Sequence, residues 1–504
     1  MKVSRVGVHW VMVGVATLVL FGATLADASS VTVGINVLPR TLDPTFDTSA
    51  QAQGVYRTMY EPLITIGEGG AVKPALAQSW KDIDPLTWRI TLRKGVRFHN
   101  GQEFTSADVK FTLERVLDAK TKAPWKPRIT LVEKIETPDP FTVVIKTSQP
   151  FGTLMKNLAV IYILPAKLWQ TKGEEKFLDP PVGTGPFKFV QWTKESVIQL
   201  ARNDSYWGKK PQIDSLVFKH MPEASTRLAA LEAGEVDLIY EVPPEQVERL
   251  KGKGYQVSPV PIGFSQVVQL KTTMGGPLTD KRVRQAMNYA VDKDAIVKSL
   301  FLSYAMKLEG QLAGPDGFGY GPGLKAYPYD PAKAKELLRE AGYPQGFDVV
   351  WETAIGQYPK DRELVEVVAA QLAEVGIRAK VNVLERAART AKVYAGTVGP
   401  VFTIAWQYLP AMDLELPYSF HLSDSIWNLM KEPEFDRLFV EQRRLTTEGE
   451  RLAALRKLSA WFRDYAPEIF LYQIVAIYAT KPQVERVGFR PDLTLDFTEA
   501  NVRR

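Results

Sequence analysis

The residues best suited to chemistry are few and scattered. The chain has 504 residues, no cysteine and four histidines, His9, His99, His220 and His421. Without thiols there can be no disulfide, zinc–thiolate centre, iron–sulfur cluster or thiol nucleophile. No two histidines have the spacing that turns a pair of ring nitrogens toward one metal on a helix. Each is expected to be an ordinary surface or core residue. Neither a Gly-x-Ser-x-Gly elbow nor a Gly-Lys-Ser/Thr phosphate loop is present. Gly183-Thr184-Gly185 has Lys188 where a dinucleotide loop would carry its third glycine, and Phe187-Lys188-Phe189 reads as a strand instead of a helix. Glu434 and Asp436 lie in a charged helical stretch and read as a solvated face. No enzyme activity, metal or cofactor is therefore expected. The formal charge of +6 is spread along the chain, which argues against a nucleic-acid partner.

The elements that would have to position any site alternate between helix and strand. Hydrophobic residues make up 45% and charged residues 24%, an ordinary globular composition, and the length suggests about three domain-sized units. Lys2 and Arg5, the apolar run Val6 to Leu25 and the small-x-small site Ala26-Asp27-Ala28 have the layout of a cleavable secretory signal over residues 1–28. An uncleaved anchor is the alternative, since about 20 apolar residues span a bilayer. Val31 to Val37, Thr87 to Leu92, Phe141 to Lys146 and Ile377 to Val383 read as strands. Thr105 and Asp108 form a capping box ahead of Val109, Leu113 and Val116 at helical spacing. Asp292 and Asp330-Pro331 open further helices, Gly342 closes the one that Asp330 opens, and Gly234 and Gly376 close two others. The alternation predicts an α/β layered fold.

From Pro74 onward the pattern becomes specific. Pro74-Ala75-Leu76-Ala77-Gln78-Ser79-Trp80 is followed by Thr87-Trp88 and by Leu92-Arg93-Lys94-Gly95-Val96-Arg97-Phe98-His99-Asn100-Gly101. Pro181-Val182-Gly183-Thr184-Gly185-Pro186-Phe187, Arg202-Asn203-Asp204-Ser205-Tyr206-Trp207 and Leu231-Glu232-Ala233-Gly234-Glu235-Val236-Asp237 come in order after it. Asp280-Lys281-Arg282-Val283-Arg284-Gln285-Ala286 and Tyr329-Asp330-Pro331 complete the series. This sequence resembles the family 5 extracellular solute-binding proteins of ABC importers, the dipeptide-, oligopeptide- and nickel-binding group.

The resemblance implies a two-lobed periplasmic binding protein fold with an additional domain inserted in the N-terminal lobe. The N-terminal lobe would use residues 29–50, 183–268 and 481–504, the inserted domain 51–182 and the second lobe 269–480. It implies a monomer in the periplasm that captures a small-molecule or peptide ligand by closure and delivers it to an ABC permease. A signalling receptor and a periplasmic chaperone are the alternatives. In family peptide binders a Gly-Trp-x-x-Asp stretch supplies an aspartate for the peptide's amino terminus. Here Ala405-Trp406-Gln407-Tyr408-Leu409 places Leu409 at that position, with Asp413 four residues on as the alternative partner. A ligand other than a standard peptide follows: a modified peptide, a glycan, an opine-like compound or a carboxylate. Trp406 and Tyr408 would form flat walls and Gln407 would hydrogen-bond. Arg40 and Phe264 would lie at lobe edges, and Arg386 and Arg389 would hold a ligand carboxylate by bidentate contacts.

Overall fold

The computed structural model describes residues 29–173 and 176–503. The secretory signal expected at 1–28 lies outside them. An 11-stranded sheet runs through the molecule. One half is built on Ser30–Ile35, which lies parallel to Ser215–His220 and to Leu238–Ile239. Val197–Arg202 and Phe187–Thr193 extend it outward as an antiparallel meander. The other half is parallel, with Phe347–Thr353 between Ile377–Val383 and Val401–Gln407.

Two long antiparallel strands, Gln256–Leu270 and Glu468–Thr480, join the halves. Their register breaks between Pro261 and Ser265, and the short strand Ala305–Lys307 pairs with Tyr472 to Ile474 beside the break. The chain therefore crosses between lobes along paired backbone. A second register shift follows at Gln266–Val267, and a ladder that is continuous elsewhere resists twisting except at these two irregularities.

The described residues of 51–182 contribute no strand to this sheet. They carry a separate four-stranded antiparallel sheet in which Thr87–Leu92 is central, between Ala77–Asp84 and Thr142–Thr147. Trp88, Ile90 and Leu92 alternate inward along that strand and are buried. The helix Ser106–Leu117 covers the sheet, and the Thr105 amide donates to Asp108 Oδ2 at 2.8 Å as the capping box requires.

The helices of the second half begin where their caps predict. Asp292 Oδ1 accepts from the Ala295 amide (2.9 Å) ahead of Lys293–Phe301, and Asp330 Oδ1 from the Lys333 amide (2.8 Å) ahead of Pro331–Glu340. Gly376 closes Asp361–Glu374 with a φ of +92°, a conformation that strains any residue bearing a Cβ. Strand Ile377–Val383 has the predicted limits. The Gly183-Thr184-Gly185 loop has a steric role: a Cβ at Gly183 would sit 2.1 Å from the Met59 carbonyl oxygen. His99 clamps this loop, with Nδ1 accepting from the Gly183 amide (3.2 Å) and Nε2 3.0 Å from the Gly185 carbonyl oxygen.

Candidate functional site

A cleft of about 1130 Å³ opens between the two halves of the sheet. The Gln256–Leu270 strand passes behind it and presents Phe264, half-buried and in register with Gln407 of the neighbouring strand. From the first half come Asn36, Glu223, Arg227, Glu241 and Glu245; from the second come Lys360, Arg386, Arg389, Trp406 and Gln407. The second half also contributes an aromatic wall.

Trp406 anchors that wall. It stacks on Phe420 with ring centroids 5.3 Å apart and planes at 16°, and Trp427 lies 5.3 Å from it and 4.9 Å from Phe420. Tyr394 extends the cluster to the rim, 5.3 Å from Trp427. Trp406 itself is only 2% exposed, and its Nε1 donates to Glu468 Oε1 at 2.5 Å. The same oxygen lies 3.0 Å from His421 Nε2. Burial raises the Glu468 carboxyl above its ordinary range, against the opposing pull of the His421 and Trp406 hydrogen bonds. Trp406 is thus at once part of the packed core and part of the cleft lining.

Arg389 lies on the helix Arg386–Tyr394, which follows the strand Ile377–Val383. Three residues apart, Arg386 and Arg389 share the face of this helix that lines the cleft. Arg386 at the helix start is exposed, and Arg389, nearly one turn further in, is 4% exposed against the sheet. Arg389 Nη2 donates to the Thr403 carbonyl oxygen, and its guanidinium carbon stands 5.6 Å from the centre of the Phe402 ring.

Phe264, Arg386, Arg389, Trp406 and Gln407 are thus brought to one cleft. Arg40, Tyr408 and Asp413 are not. The Arg40 side chain is 84% exposed and lies 4.0 Å from Asp47. Tyr408 is buried behind the cleft, its Oη accepting from Gln473 Nε2 (2.7 Å) and lying 3.2 Å from Asp316. Gln473 Nε2 also reaches the Ile262 carbonyl oxygen (2.9 Å), so this group ties both long strands together at their register break. Asp413 is bound by Arg451 at 2.6 and 2.8 Å and by Lys156 Nζ at 3.2 Å. Burial opposes its ionisation, but the two cations outweigh this and hold the carboxyl well below the usual range. Leu409 is buried too, its Cδ2 2.6 Å from where a Cβ on Gly263 would stand.

Phe420, Trp427, Tyr394, Tyr358 and Lys360 line the cleft although nothing in the sequence singles them out. For Phe420 and Trp427 the one available signal is the aromatic density from Trp406 to Trp427, which equally describes a core. Among the described residues no group of three or more acidic or histidine side chains is placed to hold a metal ion. No helix among them is long and apolar enough to cross a membrane.

Two sheet halves joined by paired strands, with a cleft at the junction and an added domain on one side, define a two-lobed periplasmic binding protein. The model for bacterial extracellular solute-binding proteins, family 5 (middle), matches residues 71–426. The chain belongs to this family, which consists of binding proteins and not enzymes. The glutathione-binding protein GsiB of Pectobacterium atrosepticum is 31% identical over 401 residues, covering 78% of this chain and 76% of its own. NikA from Brucella suis, solved with Fe(III)-EDTA, is similar at a TM-score of 0.82 and 26% identity, covering 94% of this chain and 100% of NikA. The periplasmic binding protein DppA from Helicobacter pylori, solved with the peptide STSA, is similar at 0.74 and 26%, covering 95% and 99%.

Proposed function

We propose that the chain is the periplasmic solute receptor of an ABC importer. It is exported by a cleavable signal and works as a monomer without catalysis. It captures a peptide or other small organic solute in the cleft, and its closed form is what the membrane permease recognises. The observation that carries this reading is the cleft itself, walled by both lobes and backed by two crossing strands. A solute touching both walls favours the closed form, because only closure lets it make both sets of contacts. Bending is assigned to the register break at Pro261–Ser265 and to Gln473–Val475 opposite it. The lobe division expected from the sequence (29–50, 183–268 and 481–504 against 269–480, with 51–182 inserted) is refined to meet at these points.

Glutathione for one relative and a peptide for a structural neighbour suggest a peptide-like solute here. The amine site of the family's peptide binders is altered in this chain. Leu409 is apolar and buried, and Asp413 is occupied by Arg451 and Lys156. The ligand is therefore held by other groups, with Trp406 and Phe264 as apolar surfaces and Gln407 as a hydrogen-bonding group. Native mass spectrometry of gently purified mature protein, followed by denaturation and identification of the released compound, tests the reading. One small organic solute per chain is expected. Release of unfolded polypeptide, or turnover of the released compound by the protein, would overturn it.

A further inference from the structure

The geometry points to the second-lobe wall of the cleft, centred on Arg389, as the seat for a carboxylate of the solute. The inference rests on the receptor reading above and names the class of solute that the receptor takes.

Among the described residues five arginines are buried: Arg115, Arg227, Arg284, Arg389 and Arg451. Four have an evident reason to be there. Arg115 pairs with Asp43 at 2.8 Å and donates to Thr45 at 2.6 Å. Arg451 grips Asp413 through both terminal nitrogens. Arg227 donates to the carbonyl oxygens of Met221, Pro222, Tyr240 and Glu241. Arg284 donates to those of Leu278, Thr279 and Tyr465. Arg389 makes one hydrogen bond, to the Thr403 carbonyl oxygen, and no ion pair among the described residues. Its Nε is buried without a partner. The same is true of Nε in Arg115 and Arg451, but those side chains hold carboxylates through their terminal nitrogens.

A guanidinium offers five N–H donors and cannot shed its charge. Burying it unpaired is costly, and proteins avoid it unless a partner arrives. Arg389 lines the cleft, so the missing partner can come from solvent. Its surroundings fit an anion. Lys360 and Arg386 stand on the same wall, while the three acidic residues lining the cleft, Glu223, Glu241 and Glu245, all belong to the opposite lobe. Among the described residues lining the cleft, no carboxylate on this wall competes for the site. The Lys360 backbone has a φ of +56°, an unfavourable conformation for a residue with a Cβ that is held at the start of the helix Asp361–Glu374. A carboxylate pairs with a guanidinium through parallel hydrogen bonds along an edge that includes Nη2, and Nη1, which has no protein partner among the described residues, is the donor beside Nη2 left open to it. Burial also pushes the Arg389 guanidinium pKa down, with Tyr358 opposing, which is the direction an anion would reverse.

The test is a calorimetric titration of mature wild-type protein with glutathione, short peptides and small carboxylic acids, each paired with its methyl ester or C-terminal amide. Binders are expected to lose tenfold or more in affinity when the carboxylate facing this wall is capped, and Arg389→Met to erase the preference for acid over ester. Equal binding of acid and ester by wild-type protein overturns the subsite while leaving the receptor reading intact. Failure of every compound to bind overturns both. Should Arg389→Met fail to fold, the acid–ester comparison on wild-type protein decides alone, with Arg386→Met expected to weaken the same preference in part.

Discussion

Two buried cations separate this molecule into a part that is finished and a part that is waiting. Arg451 is 2% exposed and Arg389 is 4% exposed. Arg451 meets Asp413, and Asp413 also meets Lys156, whose Nζ lies 3.4 Å from the centre of the Phe318 ring. That cluster joins the segment 51–182 to the second lobe. Nearby, the Gly152 amide donates to the Arg443 carbonyl oxygen at 2.9 Å. Arg389 meets a single carbonyl oxygen and open cleft. Burial alone does not distinguish a structural charge from a functional one. What distinguishes them is whether the counter-charge belongs to the chain.

The largest expected effect tests this contrast directly. Asp413→Asn leaves Arg451 and Lys156 buried without their counter-charge and is expected to lose about 3–5 kcal/mol of stability, and Arg451→Met, which leaves Asp413 with Lys156 alone, somewhat less. Arg389→Met removes a buried charge with no counter-charge to strand, only the Thr403 carbonyl oxygen, and its stability is expected to stay within about 1 kcal/mol of wild type or rise. Urea denaturation of the three variants measures the difference. Comparable losses in all three would erase the distinction.

Trp406 sits between the two categories and sharpens them. Its truncation to alanine is expected to cost about 3–5 kcal/mol of stability, as large buried aromatics do. It is also expected to weaken solute binding tenfold or more, by analogy with stacking worth about 1–3 kcal/mol. Lost stability with unchanged affinity would assign Trp406 to the core alone.

Acid separates the regions more gently. Burial lowers the His99 pKa from 6.5 to about 4. Between those values the unfolded chain binds the proton and the folded chain does not, so stability rises with pH across this window and falls on acidification. His99→Gln should flatten that slope in denaturation curves taken from pH 7 to 4. The Asp413 carboxyl is held below its ordinary value, so it contributes stability above about pH 4 that is lost only on further acidification. A slope that His99→Gln leaves unchanged would assign the acid loss elsewhere.

The smallest effect belongs to Arg40. Its exposed side chain predicts that Arg40→Ala changes stability by less than about 0.5 kcal/mol and leaves the titrations unchanged. Any clear loss of affinity would bring the first strand's end into the site.

Much of the local structure was legible because its causes are local. Asp292, Asp330 and the Thr105–Asp108 pair cap helices through atoms three residues apart, and Gly376 ends one through its own φ. Strands Thr87–Leu92 and Ile377–Val383 were visible for a similar reason, since each is a short run bounded by clear turns. The two long strands were not. Gln256–Leu270 contains Pro259, Pro261 and Gly263, which read as breaks, and Glu468–Thr480 is apolar on both faces with no period to read. Each is a strand because the other pairs with it across some two hundred residues.

The same division runs through the site. Residue types, cap spacing and ordered motifs sufficed for the α/β class and the family, because these depend on short stretches of chain. They also placed Arg386 and Arg389 after a strand. Only the folded chain could show that Arg389 is buried with no ion pair among the described residues, that Asp413 is already taken by Arg451 and Lys156, and that Tyr408 points into the join between strands. Those outcomes depend on partners far away in sequence. A side chain's role there is decided by which charge or carbonyl packing brings beside it, and that information is carried by the tertiary structure alone.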